Sequence, residues 1–162
     1  MKIAAITDIG SCRQENQDNY CAQQLPGGTA WGIVCDGMGG VNGGRIAAHI
    51  ATDTMQQYFA RQMRSLQPGG EKSFIMRGFD ITNRAVYEKA TSDPEMMGMG
   101  TTGVCAYAGG GWRMWSMRAT PARIFSTRAR CVRSRGTTQW SSSWWTVARS
   151  LGSRRPSTPK RT

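Results

Sequence analysis

The chain runs out of acid early: no aspartate or glutamate follows Glu95, although it continues to Thr162. It also lacks any apolar run near the ~20 residues of a membrane-spanning helix, so no membrane span is expected. Ile3-Ala4-Ala5-Ile6 is cut short by Asp8, too early for a signal-peptide core. The five cysteines (Cys12, Cys21, Cys35, Cys105 and Cys131) are odd in number and form no Cys-x-x-Cys pair. A disulfide framework and a zinc knuckle are thereby disfavoured, and a reducing, cytoplasmic setting is expected. Neither GxxxxGK[ST] nor GxGxxG occurs, so nothing supports a nucleotide cradle.

The missing acid splits the chain in two. Residues 1–111 carry 9 Lys+Arg against 10 Asp+Glu, whereas residues 112–162 carry 12 Lys+Arg and no acid. The formal net charge of +11 therefore comes entirely from the last third. That third also holds five of the six tryptophans and 16 Ser or Thr, with few branched aliphatics. Disordered tails are usually poor in aromatics, and folded domains usually carry both charge signs. The composition fits neither, and a boundary is expected near residue 111.

The first part patterns as α+β. Lys2–Thr7, Asn19–Gln24 and Ala30–Cys35 read as short strands, the last two joined by the turn composition Leu25-Pro26-Gly27-Gly28. A helix follows residue 40, with two i, i+4 stripes on one face: Ile46, Ile50, Thr54, Tyr58, and Ala47, Ala51, Met55, Phe59. A second helix is expected over Glu71–Ala90, burying Phe74, Ile75, Phe79, Thr82 and Val86 and stopped by Asp93-Pro94. Gly100–Ala108 reads as a further strand. Strands, two helices and a strand suit a layered α+β domain.

Two segments can carry chemistry. In Ile33-Val34-Cys35-Asp36-Gly37-Met38-Gly39-Gly40 an apolar strand delivers one carboxylate to its end, and the glycines let carbonyls approach a bound species. Carboxylate plus carbonyl oxygen suits Mg²⁺ or Mn²⁺; the plainer alternative is a helix cap and a turn. In the segment from Thr7 to Asn19, Arg13 can grip a phosphate through a forked pair of hydrogen bonds, and Asp18 sits where a strand begins. The lone His49 falls between the apolar stripes and suits packing or surface better than catalysis.

Taken together, GxxRxxNQD, an apolar strand ending in DGMGG, and GMGTT at 98–102 resemble the metal-dependent serine/threonine protein phosphatases of the PP2C (PPM) family, bacterial type. The resemblance runs from about Ile6 to about Ala108. It implies the N-terminal part of an αββα sandwich, in which two antiparallel sheets are flanked by helices. It also implies phosphomonoester hydrolysis of phosphoserine and phosphothreonine proteins by a metal-activated water, with two Mn²⁺ or Mg²⁺ ions. Asp36 then matches the aspartate that bridges the ions, Gly37 the carbonyl ligand, Arg13 the phosphate clamp, and Asp18 the acid of the Asn-Gln-Asp triplet near the metals. Gln17 takes the middle place of that triplet, where a carboxylate would otherwise be available.

The resemblance also implies later acids that this chain lacks: a Gly-Asp-Ser-Arg segment, an Asp-Gly-x-x-Asp-type segment and a final Asp-Asn pair. At most one weakly held ion is expected here, and little or no turnover. The genetic code suggests why. Read one base out of frame, the codons of Ala119-Thr120-Pro121-Ala122-Arg123-Ile124 permit Asp-Ser-Arg-Ala-Tyr. Trp112 to Arg118 permits Leu-Ala-His-Val-Val-Asn-Ala-Gly, and Gly136 to Trp140 permits Asp-His-Ser-Val, in the same frame and in family order. The slip would lie near Gly109-Gly110-Gly111. The expectation is thus a partial phosphatase domain over 1–111 and a basic tail over 112–162, disordered or frameshifted. The chain would be truncated relative to the family. The helix faces and the open edge of Gly100–Ala108 are expected to lack partners, which invites aggregation.

Two alternatives compete. One is a basic-tailed protein binding nucleic acid or an anionic surface nonspecifically. The other is a non-catalytic pseudo-phosphatase that keeps Arg13 and Asp36. No specific nucleic-acid partner is expected.

Overall fold

A computed structural model describes residues 3–39, 43–109, 112–120 and 126–133. Strand β1 (Asp18–Leu25) turns through Pro26–Gly28 into β2 (Thr29–Met38). Helices α1 (Gly43–Gln62) and α2 (Glu71–Ser92) follow, then β3 (Gly100–Gly109), β4 (Trp112–Thr120) and β5 (Ser126–Arg133). The strands form one antiparallel sheet in the order β1-β2-β3-β4-β5.

Local chemistry sets the helix limits. Glu71 places a carboxylate in the first turn of α2, where the helix dipole favours it. At the other end Asp93 is extended, as a residue before proline prefers to be. Its side chain accepts from the Glu95 N–H at 3.1 Å and from Lys89 Nζ at 2.9 Å, closing the helix.

Both helices pack on one face of the sheet. β2 contributes Trp31, Ile33 and Cys35 to that core, and β3 contributes Cys105 and Tyr107. Each of these alternates with residues on the opposite face, the period of two that a pleated strand imposes. Phe59 of α1 is fully buried and stacks on Trp31 with ring centroids 4.0 Å apart. Phe74 meets Phe59 edge-on at 5.1 Å, and the Tyr58 hydroxyl donates to the Phe74 carbonyl at 3.1 Å. Deleting a ring at the centre of this cluster removes contacts that its neighbours cannot replace. Phe59→Ala is expected to cost about 3–5 kcal/mol, read as a lowered urea midpoint.

Three expectations need correction. Residues 3–9 form no strand; the Lys2–Thr7 segment is irregular where it is described. The helices do not lack partners: Ala47, Ala51, Met55 and Phe59, and Phe74, Ile75, Phe79, Thr82 and Val86, are all buried. The edge of β3 is not bare either, since β4 pairs with it from Thr101↔Thr120 to Gly109↔Trp112. The expectation of a disordered tail falls, over residues 121–125 and 134–162, outside the described residues. Among the described residues Tyr20, Val34 and Val104, on the sheet face away from the helices, are 38%, 48% and 38% exposed. Among the described residues no helix is long and apolar enough to cross a membrane.

Candidate active site

The site grows from the register of the β1–β2 hairpin. The turn at Pro26–Gly28 pairs Leu25 with Thr29, and the ladder then brings Asp18 directly opposite Asp36. Directly paired residues share a face of the sheet. The two carboxyl groups therefore meet at one end of the open face, within hydrogen-bonding reach of each other. Asp36 does not end its strand, as its sequence context suggested; β2 continues through Gly37 to Met38.

Backbone bonds hold this corner. The Asp36 N–H donates to Thr102 Oγ1 at 3.1 Å, and Thr101 Oγ1 donates to the Asp36 carbonyl at 3.0 Å. The Gly100-Thr101-Thr102 segment thus anchors the aspartate as well as starting a strand. The Gly37 N–H donates to the Gln17 carbonyl at 3.2 Å, and the Asp18 N–H donates to Asn16 Oδ1 at 3.0 Å. Asn16 Nδ2 in turn donates to Thr7 Oγ1 at 2.8 Å, tying the preceding segment to the loop. Sequence reasoning had no signal for the two threonines beyond their place in the GMGTT segment.

Arg13 is exposed on the loop that leads into Asp18. With Gln14, Glu15 and Gln17 it lines an open cavity of about 320 Å³. Burial raises the Asp18 pKa above the usual carboxylate range, helped by the charge and hydrogen bond of Asp36, while the nearby Arg13 charge opposes the rise. Two close carboxylates with a guanidinium beside them form an arrangement that a cation would relieve. Paired carboxylates are the donor chemistry that a hard divalent ion takes, and Asp36 and Asp18 present such a pair at this corner. Among the described residues no group of three or more His, Cys, Asp or Glu could hold a metal ion, so an ion at this corner would need its other ligands from backbone oxygen or water. His49 lies outside this corner; its Nδ1 is 3.1 Å from Asn19 Nδ2 on the helix side. The buried thiols offer no nucleophile: burial pushes Cys35 up to about 12 and also raises Cys105.

The raised Asp18 pKa has a signed consequence for the metal-free chain. A group whose folded pKa lies above its unfolded value stabilises fully below the unfolded value of about 3.9 and loses that contribution as pH rises through the folded one. Asp18→Asn removes this loss. In chelator at neutral pH, Asp18→Asn is expected to melt above the wild type, and the gap should narrow toward acid pH. Thermal melts across pH check this, and an equal or lower melting temperature for the variant at neutral pH would contradict it.

Comparison with known proteins gives the family and the fold. The family model described as protein phosphatase 2C matches residues 11–117. A putative protein phosphatase 2C-type of Streptococcus pyogenes is 31% identical over 103 residues, covering 63% of this chain and 41% of that protein. Protein phosphatase PhpP of Streptococcus pneumoniae matches to the same extent, 31% identical over 103 residues, 63% of this chain and 41% of its own length. The chain thus spans about two fifths of the curated relatives it matches. Among solved structures, the serine/threonine phosphatase of S. agalactiae superposes with a TM-score of 0.62 at 27% identity, covering 70% of this chain and 46% of that one. The catalytic domain of the phosphatase PstP in complex with two manganese ions shares the fold, with a TM-score of 0.55 at 22% identity over 68% of this chain and 44% of that domain. The chain belongs to the protein phosphatase 2C family, and its α+β fold is part of that family's domain.

Proposed function

We propose that the chain carries the N-terminal part of a metal-dependent phosphatase that hydrolyses phosphoserine and phosphothreonine in proteins. The observation that carries this is the facing pair Asp18 and Asp36 at one sheet corner, with the Arg13 charge close enough to act on Asp18. Asp36, Asp18 and the Gly37 carbonyl would hold Mn²⁺ or Mg²⁺. A divalent ion bound there supplies a Lewis acid that acidifies water and offsets phosphate charge. Arg13 orients the phosphate by a forked pair of hydrogen bonds and neutralises charge that builds up on its oxygens. Thr101 and Thr102 keep Asp36 in place, and the Gln17–Gly37 bond keeps the Arg13 loop against the same strand.

As it stands, the chain is proposed to be catalytically incomplete, because a second ion needs carboxylates that no residue after Glu95 can provide. We attribute that loss to a reading-frame slip near Gly109–Gly111. The sheet register supports this. One base out of frame, the codons over β4 permit an apolar strand, and the codons of Ala119 and Thr120 permit an aspartate. Those positions pair with Thr102 and Thr101, the two threonines that hold Asp36.

Assay of the purified 162-residue chain with a phosphothreonine peptide and Mn²⁺ tests the proposal. Hydrolysis at the level of the buffer is expected. Chelator-sensitive hydrolysis that Asp36→Ala abolishes would contradict the incompleteness while supporting the site.

A further inference from the structure

Glu15 lies two residues from Arg13, and both line the same open cavity. A free carboxylate there would compete for the Arg13 guanidinium and repel an incoming phosphate dianion. The carboxylate is engaged elsewhere: Arg45 Nε of α1 meets Glu15 Oε1 at 2.7 Å. The turn that carries Arg45 is itself fixed, because the neighbouring Gly44 lies against Gly37 and Gln17.

We propose that Arg45 is a positioning residue for phosphate capture, drawing the Glu15 charge away from Arg13 and leaving that guanidinium free for a phosphate. The inference rests on Arg13 being the phosphate clamp. The simpler role for such a pair is to stabilise the fold. With side chains 45% and 36% exposed, however, an ion pair contributes only about 0–1 kcal/mol. The pair also fixes where the Glu15 charge sits relative to Arg13.

The two roles predict different mutant patterns. The probe is inorganic phosphate, titrated into the full chain in Mg²⁺ buffer and followed by ³¹P line broadening. Arg45→Ala is expected to weaken phosphate binding about five-fold, a size set by one uncompensated charge near the site. Arg45→Lys should keep most of the affinity. Glu15→Gln alone should bind at least as tightly as the wild type, and adding it to Arg45→Ala should restore the affinity. A plain latch would instead make Glu15→Gln as damaging as Arg45→Ala, with no recovery in the double variant. Either that pattern or an unaffected Arg45→Ala overturns the proposal. Arg13→Ala separates the levels. If it leaves phosphate binding unchanged, or if the wild type binds none, the clamp assignment fails and the proposal fails with it. If it abolishes binding while Arg45→Ala has no effect, the proposal alone fails. Thermal melts of each variant confirm that the fold is retained.

Discussion

A reading shifted back by one base near the codons of Gly109–Gly111, and continued past codon 162 to take in the family's later acidic segments, is expected to be a Mn²⁺-dependent phosphatase where the 162-residue chain is proposed to be inactive. The expected gain is at least about a thousand-fold over the 162-residue chain, the scale on which completing a two-metal site acts. Three segments recovered in one frame and in one order carry this expectation, together with the absence of acid after Glu95. The test is to sequence the gene across these codons and to assay the shifted reading with a phosphothreonine peptide. An independently confirmed frame, or a shifted product with no chelator-sensitive hydrolysis, would contradict it. Weak, salt-sensitive binding of the present tail to polyanions would not compete with it, because any polycation binds that way at low salt.

The second large effect concerns two glycines that cross at the site. Gly37 is buried in β2, and a Cβ there would collide with the Gly44 carbonyl and lie 2.6 Å from the Gln17 carbonyl oxygen. Both obstacles are backbone, so neither can swing aside. Gly37→Ala is expected to destabilise the fold by about 3 kcal/mol or more, above the usual range for overpacking. Gly44→Ala is the sharper discriminator. In a helix, glycine to alanine normally gains about 1 kcal/mol. Here the added methyl would lie 2.8 Å from the Gly37 carbonyl carbon and collide with the Gln17 side chain. The contact should outweigh the propensity, so the urea midpoint should fall. A rise would show that α1 can shift away from β2 without loss.

Periodicity made most of the helical layer legible. The stripes through Ala47 and Met55 and through Phe74 and Val86 are the faces that the structure buries. The hairpin register was also within reach: counting equally back from Leu25 and forward from Thr29 brings Asp18 opposite Asp36. By contrast, β4 was hidden. Trp112 to Thr120 has no branched aliphatic residue and its apolar–polar alternation slips at Met114-Trp115, so its composition masked a strand that pairs with β3 from Gly109↔Trp112 onward. Lys2–Thr7 failed for the converse reason. Its residues favour a strand, but propensity without a ladder does not make one. The Glu15–Arg45 pair and the Gly37–Gly44 crossing bring distant segments together and show only in three dimensions.

The central claim is that Asp36 and Asp18 form a divalent-cation site. Electron paramagnetic resonance of Mn²⁺ titrated into the full chain tests it most directly. One weakly held ion is expected for the wild type, none for Asp36→Ala, and reduced occupancy for Asp18→Asn. Mn²⁺ binding that Asp36→Ala leaves unchanged would contradict it.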